Sequence, residues 1–101
     1  MKLVRDFIPD IIEKSGQWCL TRTAVDKKEH LSLLRDKILE ETDEFIEDPS
    51  LEEAADILEV LITFCTIYDL SLNDVIKTAE RKAAKRGGFK RGIILQKVGK
   101  E

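Results

Sequence analysis

Two pairs of acidic residues with the same spacing lie close together in the sequence. Glu41 and Glu44 are three residues apart, and so are Glu53 and Asp56. Side chains three residues apart share a face of a helix, so two antiparallel helices carrying these pairs would bring four carboxylates together beside the core. Four carboxylates this close repel one another, and burying an unpaired charge is costly. Because the ligands of such a group are all oxygens, we expect it to bind a hard divalent cation, Mg²⁺ or Mn²⁺.

The hydrophobic pattern predicts the two helices that would carry these acids. The first begins near Lys27, and its apolar residues recur at spacings of three, four and seven, namely Leu31, Leu34, Ile38 and Phe45. Asp48-Pro49-Ser50 should end it, because proline disfavours helical backbone in the residue before it. Ser50 followed by Glu53 resembles a capping box, which predicts a second long helix running to about Tyr68.

Shorter elements are predicted on either side of these helices. Pro9 suits the first turn of a small helix that ends near Gly16. Residues 18–25 favour a weak strand or an extended segment. Ser71 can begin a last helix, and Gly87 is a plausible residue to follow its end. No repeat or linker divides the chain, so residues 1–101 are predicted to form one all-α domain, an antiparallel helical bundle.

The second long helix is apolar around most of its circumference beyond Ala55, with only four polar residues: Asp56, Glu59, Thr63 and Thr66. One neighbouring helix cannot cover such a surface. We therefore expect the core to be completed by oligomerisation, as a homodimer or a homotetramer.

Each acid also has a structural explanation when it is taken alone. Glu53 could simply be the acidic residue of the capping box, and acids in the first turn are favoured by the helix dipole. Asp56 fits this explanation poorly, because it follows the first turn and stands between Ala55 and Ile57. The metal hypothesis therefore rests on the four acids together.

The charges are separated along the chain. Residues 36–59 hold eleven acidic groups and one basic group, a net charge of −10, whereas residues 77–101 hold nine basic and two acidic groups, a net charge of +7.

The sequence pI of about 5.3 argues against a nucleic-acid binder. The most apolar stretch, residues 57–68, is too short to cross a membrane. Two isolated cysteines without a signal peptide predict a reducing, cytoplasmic location.

The acidic motifs resemble those of a known superfamily. Glu40-Glu41-Thr42-Asp43-Glu44 followed by Glu53-Ala54-Ala55-Asp56 has the pattern EExxE…ExxD, which resembles the metal-binding signature of the all-α nucleoside triphosphate pyrophosphohydrolases, the superfamily of MazG. Residues 2–9 (KLVRDFIP) and 86–89 (RGGF) also resemble the small phosphoribosyl-ATP-pyrophosphohydrolase-like members. The eight residues between Glu44 and Glu53 form a shorter gap than that in MazG.

This resemblance implies a Mg²⁺-dependent enzyme that cleaves the α–β phosphoanhydride of non-standard or surplus nucleoside triphosphates, releasing a monophosphate and pyrophosphate. Position by position, the metal ligands would be Glu41, Glu44, Glu53 and Asp56. Glu40 and Glu41 would be the catalytic residues, with Glu40 positioning or activating water. The residues that match phosphate-binding positions are Lys37, Lys82 and Arg86.

Two other functions are consistent with the sequence. One is phosphoribosyl-ATP hydrolysis in histidine synthesis. The other is a non-catalytic helical module that oligomerises and binds a basic partner through its acidic face. Lys2 and Arg5 could also reach phosphate, although Arg5 and Asp6 could instead form a local ion pair or a dimer contact.

Overall fold

The computed structural model describes residues 1–100, so Glu101, the last residue of the predicted domain, lies outside the described residues. The chain forms four helices: α1 (Ile8–Lys14), α2 (Lys27–Glu47), α3 (Leu51–Ile67) and α4 (Leu72–Arg86). No strand occurs in residues 1–100, which confirms the predicted all-α class. Residues 18–25 therefore have no regular structure, because no other strand is present to pair with them.

The helices begin and end where local chemistry predicts. Asp26, Ser50 and Ser71 each accept a hydrogen bond from the backbone N–H three residues later, at 2.8, 3.1 and 3.3 Å respectively. Pro9 lies in the first turn of α1. Gly87 follows α4 with a φ of +83°, a backbone conformation that glycine adopts without steric cost. Within residues 1–100 no helix has both the length and the apolar character that crossing a membrane requires.

Helices α2 and α3 pack against each other as a helical hairpin, joined by the turn at residues 48–50. The buried apolar side chains of the described chain are Leu34 on α2 and Val60 and Cys65 on α3. The remaining residues of the predicted α2 stripe, Leu31, Ile38 and Phe45, are half-buried. The hairpin therefore holds a narrow core, and the acidic residues lie at the end of it nearest the turn.

Outside this hairpin the chain is extended. Its dimensions are 68 × 31 × 24 Å and its radius of gyration is 18.4 Å, whereas a compact domain of this length has a radius of gyration of about 13 Å. Every described residue after Val75 is exposed, and α4 does not pack extensively on another helix. A single chain therefore leaves much of its apolar surface uncovered.

Candidate metal centre

The hairpin brings five carboxylates into two overlapping groups. Glu41 of α2 and Glu53 and Asp56 of α3 each offer an oxygen within 4.8 Å of the others, and Glu40, Glu41 and Glu44 do the same along α2. The structure thus places all four predicted metal ligands in the two groups, with Glu44 in the second. Glu41 belongs to both groups, so it is the centre of the arrangement.

Burial separates Glu41 from an ordinary surface acid. Only 6% of this residue is exposed, and its Oε2 atom is buried without a hydrogen-bond partner in residues 1–100. Glu53 also has a buried Oε2 atom with no hydrogen-bond partner in that range. A buried, unpaired carboxylate oxygen is costly, and a bound cation would satisfy both oxygens. The donor set therefore fits a hard metal ion.

Lys37 partly neutralises this centre from within α2. Its Nζ atom lies 3.2 Å from Oε1 of Glu41, one helical turn away, and 3.9 Å from Oε2 of Glu40. Only 18% of the Lys37 side chain is exposed, so the ion pair lies in a partly desolvated environment. This contact accounts for one oxygen of Glu41 and leaves Oε2 without a partner.

Two basic residues of the N-terminal segment also pair with carboxylates of the centre. Nζ of Lys2 lies 3.1 Å from Oε1 of Glu40, and Nη2 of Arg5 donates a hydrogen bond of 2.7 Å to Oδ1 of Asp56. Arg5 thus pairs with Asp56, fifty-one residues away, rather than with Asp6. Neither contact is predictable from the sequence alone, because both depend on how residues 1–5 cross the hairpin.

The charges of the centre shift the pKa values of two of its carboxyl groups, in opposite directions. The charge of Glu41, desolvation and the charge of Glu53 raise the pKa of Glu44. By contrast, the hydrogen bond from Lys2 lowers the pKa of Glu40. The negative charge of Glu53 therefore reaches Glu44 across the helix pair, so the two groups of carboxylates interact.

A cavity of about 170 Å³ opens beside Lys2 and Lys37. It lies between the N-terminal segment and α2, and its lining is formed by Met1, Lys2, Leu3, Leu33, Asp36, Lys37 and Glu40. Because Glu40 also belongs to the carboxylate groups, the cavity adjoins the candidate metal centre.

The two other residues that match phosphate-binding positions lie elsewhere. Lys82 and Arg86 are exposed on α4, and neither forms an ion pair with a carboxylate in the described part of the chain. One chain therefore brings Lys37, but neither of these two, to the acidic residues.

No family model, curated protein or solved structure matches this chain. The arguments for its function are therefore the sequence motifs and the geometry of the five carboxylates.

Proposed function

We propose that this protein is a Mg²⁺-dependent nucleoside triphosphate pyrophosphohydrolase that acts on non-standard or surplus nucleotides. The observation that carries the proposal is the buried Oε2 atom of Glu41, which lacks a hydrogen-bond partner in the described residues. Glu53, in the same carboxylate group, also has a buried Oε2 atom without a partner there. Carboxylate oxygens are the ligands that a hard divalent cation prefers, so these two side chains together with Asp56 support a cation-binding role.

Each residue then has a role consistent with its position. Glu41, Glu53 and Asp56 would hold the metal ion, with Glu44 as the predicted fourth ligand on the exposed side. When bound, the ion would neutralise polyphosphate charge and acidify an attacking water. The Glu40 side chain is accessible to solvent and lies in one carboxylate group with Glu41, which suits a residue that orients water.

We propose further that the functional unit is a homodimer or homotetramer of the all-α bundle type. Large apolar residues remain exposed on both hairpin helices, including Leu39 and Ile46 on α2 and Leu58 and Leu61 on α3. A second copy covering them would bury apolar surface at about 25 cal/mol per Å². It would also give α4 a neighbour, which could bring Lys82 and Arg86 close to a carboxylate group.

The test is pyrophosphate release from a panel of nucleoside and deoxynucleoside triphosphates, together with phosphoribosyl-ATP, in the presence of Mg²⁺. We expect release from at least one substrate, and its loss in Asp56→Asn with the helical circular dichroism unchanged. Asp43→Asn is the matched control, because Asp43 is an exposed acid of α2 outside both carboxylate groups. Release that survives Asp56→Asn would refute the metal assignment. Activity confined to phosphoribosyl-ATP would instead favour a role in histidine synthesis.

A non-catalytic helical module is the second candidate. It is favoured by the three cations, Lys2, Arg5 and Lys37, that already pair with the acids. In that case the acidic residues are a structural ion-pair network and the exposed apolar surface is the functional part. Calorimetric titration with Mn²⁺ separates the two candidates, because a purely structural network should bind no cation in the micromolar to millimolar range.

A further inference from the structure

The N-terminal segment, residues 1–5, crosses both carboxylate groups. Lys2 contacts Glu40 of α2, and Arg5 contacts Asp56 of α3. The segment has no helical structure of its own, but the Arg5 carbonyl accepts a hydrogen bond of 3.1 Å from the Ile8 N–H at the start of α1. This turn attaches Arg5 to α1 and presents its side chain to the cluster.

Charge counting shows that the centre is incompletely neutralised. Five carboxylates lie in the two groups, and three cations, Lys2, Arg5 and Lys37, pair with them, so two negative charges remain. This remainder equals the charge of one divalent cation. A divalent cation bound there would balance this remainder while all three basic groups stay paired. A cation that binds Asp56 would also compete with Arg5 for the same carboxylate.

Lys2 and Arg5 are placed to bind a second ligand. Their side chains are 62% and 56% exposed, whereas Lys37 is 18% exposed. Arg5 uses one terminal N–H group on Asp56, out of the five donors of a guanidinium. Lys2 lines the cavity beside α2. Phosphate groups are the natural ligands for such donors, because a guanidinium matches two phosphate oxygens in bidentate geometry.

We propose that Lys2 and Arg5 form a polyphosphate-binding site, and that their ion pairs with Glu40 and Asp56 are exchanged for phosphate when a divalent cation binds. This inference rests on the proposed function and adds to it the residues that bind the phosphates of the substrate. Arg5 then has two opposite effects. Its positive charge 2.7 Å from a ligand oxygen opposes cation binding, and the same charge favours phosphate binding once the cation is present.

The experiment measures both effects by calorimetry on the full chain carrying a C-terminal tag, so that the N-terminal segment keeps its own sequence. Mn²⁺ alone is titrated first, and the preformed complex of Mn²⁺ with inorganic tripolyphosphate is titrated second. Tripolyphosphate is used because it tests phosphate binding independently of any base. The variants are Arg5→Gln, Lys2→Gln and Arg5→Lys, with Arg35→Gln as the control, since Arg35 is exposed on α2 and forms no ion pair within residues 1–100.

In Arg5→Gln we expect Mn²⁺ to bind up to about fivefold more tightly, the size expected for a half-exposed ion pair. The tripolyphosphate complex should bind at least about tenfold more weakly. Lys2→Gln should likewise bind Mn²⁺ more tightly and the tripolyphosphate complex more weakly than the wild type does. Arg5→Lys should keep wild-type Mn²⁺ affinity and lose part of the phosphate affinity, and Arg35→Gln should resemble the wild type.

The other outcomes overturn the inference in distinguishable ways. If Mn²⁺ does not bind the wild type, the proposed function fails together with the inference. If Mn²⁺ binds but Arg5→Gln leaves both affinities unchanged, or if the wild type binds no tripolyphosphate complex, only the inference fails. If Arg5→Gln and Arg5→Lys weaken both ligands equally, Arg5 has a merely structural role and the inference is again wrong.

Discussion

Glu41 and Glu53 approach each other across the α2–α3 hairpin, and each has an Oε2 atom that is buried with no hydrogen-bond partner in residues 1–100. Two carboxylates in this arrangement repel each other, and Lys37 offsets the charge of Glu41 alone, so a cation bound between them would stabilise the fold. The relationship links the stability of the hairpin to cation binding, and the first two predictions follow from it.

Glu53→Gln should make the metal-free protein more stable, because it removes one of two mutually repelling charges. The same change should reduce or abolish the rise in melting temperature that Mg²⁺ or Mn²⁺ produces in the wild type. Thermal unfolding with and without the cation, after exhaustive chelation, measures both effects. Glu47→Gln is the control, because Glu47 lies on the exposed surface of α2 outside both carboxylate groups. A metal-free Glu53→Gln protein that is less stable than the wild type would contradict this prediction.

Lys37→Met should destabilise the protein by about 1–3 kcal/mol, because it leaves the buried Glu41 side chain, 8% exposed, without the cation that pairs with it. Urea denaturation measures the loss. The double variant Lys37→Met/Glu41→Gln should recover most of the stability, since it removes the buried charge at position 41 together with its partner. If the double variant is as unstable as Lys37→Met, the effect comes from packing of the lysine stem instead.

Glu29, in the first turn of α2, should make the free energy of unfolding depend on pH. The hydrogen bonds from Arg22, and then from the Val25 N–H, lower the pKa of Glu29 from 4.5 to about 2. Because the folded pKa lies below the unfolded value, the ionised form stabilises the folded state above pH 4.5, and this contribution is lost as the pH falls from 4.5 towards 2. Urea denaturation of the wild type and Glu29→Gln should therefore show a difference at neutral pH that shrinks across this interval. Glu13→Gln, which removes an exposed carboxylate of α1, is the control for the loss of one negative charge.

Leu58→Glu should shift the protein from an oligomer towards a monomer. Leu58 and Leu61 are 47% and 38% exposed and lie three residues apart on α3, so a charge placed there would be buried in the proposed interface at high cost. Light scattering coupled to gel filtration measures the mass. Thr66→Glu adds the same charge at an exposed polar position of α3 and should leave the mass unchanged. A wild-type protein that is monomeric at high micromolar concentration would refute the proposed assembly.

Much of the local structure is predictable from short-range chemistry. The side chains of Ser50 and Ser71 begin their helices as expected, Asp48-Pro49-Ser50 separates α2 from α3, and Gly87 follows α4. These features depend on neighbouring residues only, through a capping hydrogen bond or a restriction on the backbone. The stretch at residues 18–25 was ambiguous, because a strand needs a partner that a local pattern cannot reveal.

The sequence by itself determined the helices and the i,i+3 pairing of the acids, since both follow from the 3.6-residue period. It also identified Glu41, Glu44, Glu53 and Asp56 as one candidate set. Only the tertiary structure decided that Glu41 joins two groups, that its Oε2 is buried without a partner in residues 1–100, and that Arg5 pairs with Asp56. Burial and long-range ion pairs depend on how α2, α3 and the N-terminal segment pack, and no local pattern specifies that packing.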